Sequence, residues 1–186
     1  MTADLVNFFA KVDCVENDYF LKLQKDLLEY QPTALSYFQA GASYAKNKRP
    51  EQAITFFEKG LEMTENDSMT HDANYRLALL YHEQGLYKKT FQIAQTIRGK
   101  HKARALLLCA QIIAQLSDQC GSTTFERKAN YWLANDYVRS AYELDQSITP
   151  ELYEDRAPSM EEIFQNNHQK GDKINLNCWG ASTIMR

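Results

Sequence analysis

The chain has 186 residues, a formal net charge of −3, and only seven glycines and four prolines. Punctuation that sparse argues against an all-β fold, where a turn residue is needed every 8 to 12 positions or so. A weakly acidic chain cannot spread a phosphate-binding face over its surface, so nucleic acid is not expected as a partner. No stretch approaches the ~18 uninterrupted apolar residues of a membrane span, and Met1 to Lys11 lack a basic start followed by an apolar run. The expectation is a soluble chain with no membrane span and no export signal.

Leu5, Phe8, Phe9 and Val12 recur at helical spacing, and Tyr19, Phe20, Leu23 and Leu27 do the same up to Pro32. Residues 1–33 are therefore expected to form a leading helix pair. Its pattern differs from that of the helices after Pro32, as a terminal unit's does when one of its faces has no neighbour.

A repeat begins after Pro32. From Tyr37 the chain reads Tyr-x-x-Ala40-Gly41-x-x-Tyr44, and nine residues later come Ala53, then Phe57 and Gly60. Small residues such as Gly41, Ala53 and Gly60 let two helices approach closely, with Tyr44 and Phe57 filling the space beside the contact. Asn47, Lys48, Arg49 and Pro50 make the turn, Pro50 being suited to the first turn of a helix. The pattern returns at Asn74-x-x-Leu77-Ala78-x-x-Tyr81, with Gly85 in the turn and Thr90, Ala94 and Ile97 on the second helix. A third copy starts at Leu106-x-x-Cys109-Ala110-x-x-Ile113. Its second helix, marked by Ala134, Val138 and Ala141, arrives after 21 residues instead of nine, so about 12 residues either lie inserted around Ser117 to Arg127 or lengthen the helices. Gly41, Ala78 and Ala110 lie 37 and 32 residues apart.

This pattern resembles the tetratricopeptide repeat, whose period is 34 residues. The resemblance implies an all-α fold, a right-handed solenoid of antiparallel helix pairs, with repeats over 34–67, 71–104 and 103–145, the last with a lengthened turn. Residues 146–186 form a separate end. There a short helix is expected from Ser159 to Asn166, and the alternation from Gly171 to Gly180 suggests an extended tail. The stretch Tyr131-Trp132-Leu133-Ala134-x-x-Tyr137, with the ending Gly-Asp…Cys-Trp-Gly…Arg186, resembles the C-terminal part of tetratricopeptide-repeat proteins of Bacteroidetes. Relatives of that kind are often longer and exported to the cell envelope, which implies that this chain is a C-terminal portion of such a protein.

In stacked helix pairs the first helices line a concave face that holds a peptide or partner helix. Spacing off the packing stripe puts Leu35, Phe38, Ala42 and Ala45 there from the first copy. The second copy supplies Asp72, Tyr75, Leu79 and His82, and the third Arg104, Leu107, Gln111 and Gln115. Family members that grip a terminal carboxylate use lysine, asparagine and arginine at places which here carry Phe38, Ala42, Tyr75 and Leu79. That clamp is missing, although Arg104 stands at one suitable spot, so the resemblance implies a segment with apolar and aromatic anchors instead. In the rival reading, Phe38 and Tyr75 merely pack within their repeats. Ile174, Leu176, Cys178 and Trp179 are candidates to lie along the array as a structural cap or a regulatory lid, a contact held in cis at modest loop-closure cost.

No phosphate loop, nucleophile elbow or His-Glu-x-x-His pair occurs. His71, His82, His101 and His168 are dispersed, and the neighbours His82 and Glu83 diverge by roughly 100° on a helix. Cys14, Cys109, Cys120 and Cys178 form no Cys-x-x-Cys pair and read as mostly buried thiols, without implication for a compartment. Arg98, Lys100, His101, Lys102 and Arg104 are the one concentrated positive patch, and solvate a helix connection or face an acidic partner. The sequence thus points to a scaffold for a protein or peptide partner, without catalysis, metal or cofactor. The alternatives are a self-associating assembly unit, a homo-oligomer whose tail covers its groove or end, and an enzyme with a motif-less site near His82, Glu83 and Arg104.

Overall fold

A computed structural model describes residues 17–186 of the chain. The helix expected around Leu5, Phe8, Phe9 and Val12, and Cys14 with it, lies outside the described residues. The chain divides into two compact units between Ile93 and Ala94, inside the expected repeat 71–104.

The first unit is built of helices whose starts are written in their capping residues. Helix α1 (Asp18–Tyr30) opens on Asn17, whose side chain accepts the Phe20 amide, and α2 (Ala34–Lys46) opens on a reciprocal Thr33/Ser36 capping box. Helix α3 (Pro50–Glu62) has its proline at the first turn, where a missing N–H costs nothing, and α4 (Asp67–Glu83) is capped by Asn66. The α2–α3 turn requires a left-handed residue, Lys48 at φ 56°, and the turn after α4 uses Gly85 at φ 71°. Helix α5 (Tyr87–Thr96) comes next and runs across the division between the units.

Helices α2 and α3 form the tightest pair of this unit. Ala53 and Phe57 from α3 meet Tyr44 from α2, Leu21 from α1, and Ala73, Leu77, Leu80 and Tyr81 from α4 in one buried cluster. The residues read from the sequence as packing anchors are buried: Ala40, Gly41, Ala53, Phe57, Gly60, Leu77, Ala78 and Tyr81. A polar tie reinforces the cluster. The Tyr81 hydroxyl donates to Glu58 Oε1 at 2.5 Å, and the Lys89 ammonium sits 5.2 Å from the Tyr81 ring centroid, so one tyrosine links α3, α4 and α5.

The second unit centres on the pair α6 (Lys102–Gln115) and α7 (Thr124–Leu144). Cys109, Ala110, Ile112 and Ile113 are buried on α6, and Ala134, Val138 and Ala141 on α7. The long interval between Ile113 and Ala134 combines a turn containing the 3-10 segment Ser117–Gln119 with extra helix at the start of α7. Ala134 stands ten positions after Thr124, whereas Ala53 stands three after Pro50. Much of the added sequence is therefore helix, opened by a Thr123/Glu126 capping box.

The end of the chain packs on α7. A short helix, α8 (Met160–Gln165), is followed by strands β1 (Lys173–Leu176) and β2 (Ala181–Ile184), antiparallel in the register Lys173↔Ile184 to Leu176↔Ala181. The expected extended segment is present as β1, and the chain then turns back as β2 to make a hairpin. Period-two alternation identified the first strand, but Ser182 and Thr183 give the second no apolar face to read. Trp179 Nε1 donates to Asn130 Oδ1 at 2.7 Å, and Thr183 Oγ1 donates to Asp136 Oδ2 at 2.6 Å, with Arg186 on the other oxygen of Asp136. Lys128 pairs with Glu162 at 2.5 Å, and the Phe125 ring stacks on His168 with centroids 5.7 Å apart.

The reading of the cysteines as mostly buried thiols is corrected: Cys120 and Cys178 form a disulfide that ties the hairpin to the start of α7. Their separation of 58 residues hides the pairing in the sequence. Cys109 is a free, buried thiol, pushed up to about 12 by burial and thereby kept unreactive.

Two measurements check this arrangement. Burial, and then the Glu58 carboxylate, raise Tyr81 from 10.0 to about 12. A raised folded-state value stabilises below pH 10 and is lost as pH climbs towards 12. Stability should therefore fall over that window, and Tyr81→Phe should flatten the fall in alkaline denaturation curves. Thiol titration of the denatured chain should find two more reactive cysteines with reductant than without it; closing a loop of 58 residues corresponds to about 4 kcal/mol in the chain-entropy picture.

Candidate functional site

Within the first unit, one cavity of about 270 Å³ opens between α2 and α4 over the α3 ring of Phe57. Leu35, Phe38, Gln39 and Ala42 line it from α2, and Met69, Asp72, Ala73 and Arg76 from α4. The helical period explains both walls: residues three, four and seven apart share a face, so each helix offers one stripe to the opening.

Its floor depends on two glycines. A Cβ at position 60 would lie within 2.6 Å of Phe38 Cδ1, and one at position 41 would lie 2.9 Å from Phe57 Cδ2. With hydrogens there instead, the Phe38 ring lies over α3 and stacks on Phe57, centroids 6.2 Å apart. Phe38 therefore packs inside its repeat and lines the cavity as well. Leu35 is 56% exposed at the rim, so its apolar surface is held out to solvent without support from the core.

Of the residues expected to face a partner, the fold gathers Leu35, Phe38, Ala42 and Asp72 around this cavity. Tyr75, half-buried, Leu79, 38% exposed, and His82, half-buried, continue along α4 outside its lining. The His82 ring meets Tyr87 edge-on at 5.4 Å, and its Nε2 is buried without a hydrogen-bond partner among the described residues. Arg104 and Gln111 are exposed and Leu107 is half-buried, all three on α6 in the second unit. The tail residues have gone to the hairpin: Leu176 is buried, while Ile174 and Trp179 are half-buried. Sequence reasoning missed Gln39, Met69, Ala73 and Arg76. Arg76 stands four residues after Asp72, so the same helical spacing could have found it.

Comparison with known families decides what this first helix pair is. Residues 34–67, which span α2 and α3, match the family model of the tetratricopeptide repeat. The chain is a tetratricopeptide-repeat-containing protein. No curated protein matches it. The matched repeat contains Gly41, Ala53, Phe57 and Gly60, the residues that close the α2–α3 contact, and supplies Leu35, Phe38, Gln39 and Ala42 to the cavity. Tetratricopeptide repeats generally mediate protein–protein interaction and serve as non-catalytic scaffolds. Among the described residues no helix is long and apolar enough to cross a membrane.

Gly60→Ala tests the packing beneath the cavity. The added methyl forces the Phe38 ring to move, and overpacking of this kind costs about 1–3 kcal/mol. Chemical denaturation should show that loss, and Gly60→Ala combined with Phe38→Leu should recover part of it.

Proposed function

We propose that this chain is a non-catalytic protein-interaction scaffold that binds a peptide or partner helix along the first helices of its repeats. The observation that carries the reading is the cavity between α2 and α4, where four residues chosen by helical spacing alone surround one opening. Its lining is mostly apolar, with charge confined to Asp72 and Arg76. That composition suits a hydrophobic anchor side chain, since interface energy concentrates in a few large apolar groups inserted into pockets. Tyr75, Leu79 and His82 continue the contact surface along α4. Within the second unit, Arg104, Leu107 and Gln111 on α6 are proposed as a separate contact stripe.

Selection of a random peptide display library on the intact chain tests this. Peptides rich in aromatic or large aliphatic residues should be enriched. Leu35→Glu should abolish their binding while leaving the melting temperature unchanged, because Leu35 is 56% exposed. Failure to enrich any peptide, or equal binding by Leu35→Glu, overturns the groove assignment.

A further inference from the structure

We infer that the groove of the first unit is selective for a peptide in which a bulky apolar residue is accompanied, within about one helical turn, by an acidic residue that meets Arg76. This rests on the groove reading above and adds the partner's chemistry to it.

Three observations carry the inference. At about 270 Å³ the cavity falls just below the usual range of small-molecule sites, roughly 300–1,000 Å³, and it is open to solvent. It is thus sized for one inserted side chain. Its walls are Leu35, Phe38, Ala42, Met69 and Ala73; methionine, unbranched and polarizable, adapts to anchors of different shape.

The second observation is charge. Arg76 lies at the cavity, is exposed, and is held in no ion pair among the described residues. Arg49 is paired with Asp18 and Arg139 with Glu154, whereas the exposed Arg98, Arg104 and Arg156 are, like Arg76, in no such pair among the described residues; what distinguishes Arg76 is its place in the cavity lining. A guanidinium stays charged throughout the accessible pH range and presents a planar fork that fits a carboxylate with two parallel hydrogen bonds.

The third is direction. Asp72 lines the same cavity one turn before Arg76 on α4. An acidic residue placed towards Asp72 is repelled and one placed towards Arg76 is attracted, so the two charges fix which way the peptide runs. Repulsion at the wrong end gives selectivity as surely as attraction at the right one.

The test uses fluorescein-labelled versions of the peptides recovered by display, read by fluorescence anisotropy against the intact chain. Replacing the apolar anchor by alanine should weaken binding at least tenfold. Changing the adjacent acidic residue to lysine should weaken it about tenfold, with the loss reduced at high salt. Arg76→Glu should reverse the order, so that the lysine peptide binds more tightly than its acidic parent. Arg76 is exposed, and circular dichroism should show the variant folded. If the recovered peptides show no excess of acidic residues, or Arg76→Glu leaves the ranking unchanged, this inference fails while the groove reading stands. If Leu35→Glu has no effect on any of them, both fail together.

Discussion

The close approach of α2 and α3 is the constraint on which the first unit rests. Two helices can press their backbones together only where side chains are withdrawn, and here Gly41 and Gly60 withdraw them on opposite partners. Each glycine is answered by an aromatic ring from the facing helix, Phe57 against Gly41 and Phe38 against Gly60. The exchange fixes the rotation of both helices, and with it the stripe that α2 presents next to α4. The proposed binding surface is therefore a by-product of backbone packing. Phe38 belongs to both, so the groove cannot be reshaped there without touching stability.

The second unit solves a different problem with different means. Helix α7 is long, and beyond its contact with α6 it has a face that is covered by the end of the chain. A hairpin and a short helix meet that face through polar contacts to Asn130, Asp136 and Lys128, with Leu176, Met185 and Ile163 buried. Asn130 shows why the arrangement is specific. Its amide donates to the Cys120 carbonyl at 2.6 Å while its oxygen accepts from Trp179, so a wholly buried polar side chain is satisfied only when the hairpin is in place.

Legibility in the sequence tracked the range of the interactions. The helices of the repeats were readable because small and aromatic residues recur at similar spacing, and Leu35, Phe38, Ala42 and Asp72, chosen by helical spacing, line one opening. Arg76 was passed over because an exposed arginine on a helix is ordinary until its neighbours across the groove are known. The second strand and the disulfide were illegible for another reason. Both involve contacts between positions 47 and 58 apart, Thr183 with Asp136 and Cys178 with Cys120, and nothing local announces them. Four scattered cysteines allow several pairings, and spacing alone does not choose among them.

The Cys120–Cys178 bridge also sets how the protein responds to being cut. The connection between α7 and α8 contains Pro150 and Pro158 and many exposed residues, the sort of segment a protease enters first. A single cleavage there leaves both fragments covalently joined, because the bridge encloses all of α7, the connection after it, α8 and strand β1. The nicked molecule keeps its mass on a non-reducing gel and separates into two pieces only when the sulfurs are reduced, so damage to that connection stays invisible until the chemistry of the surroundings changes.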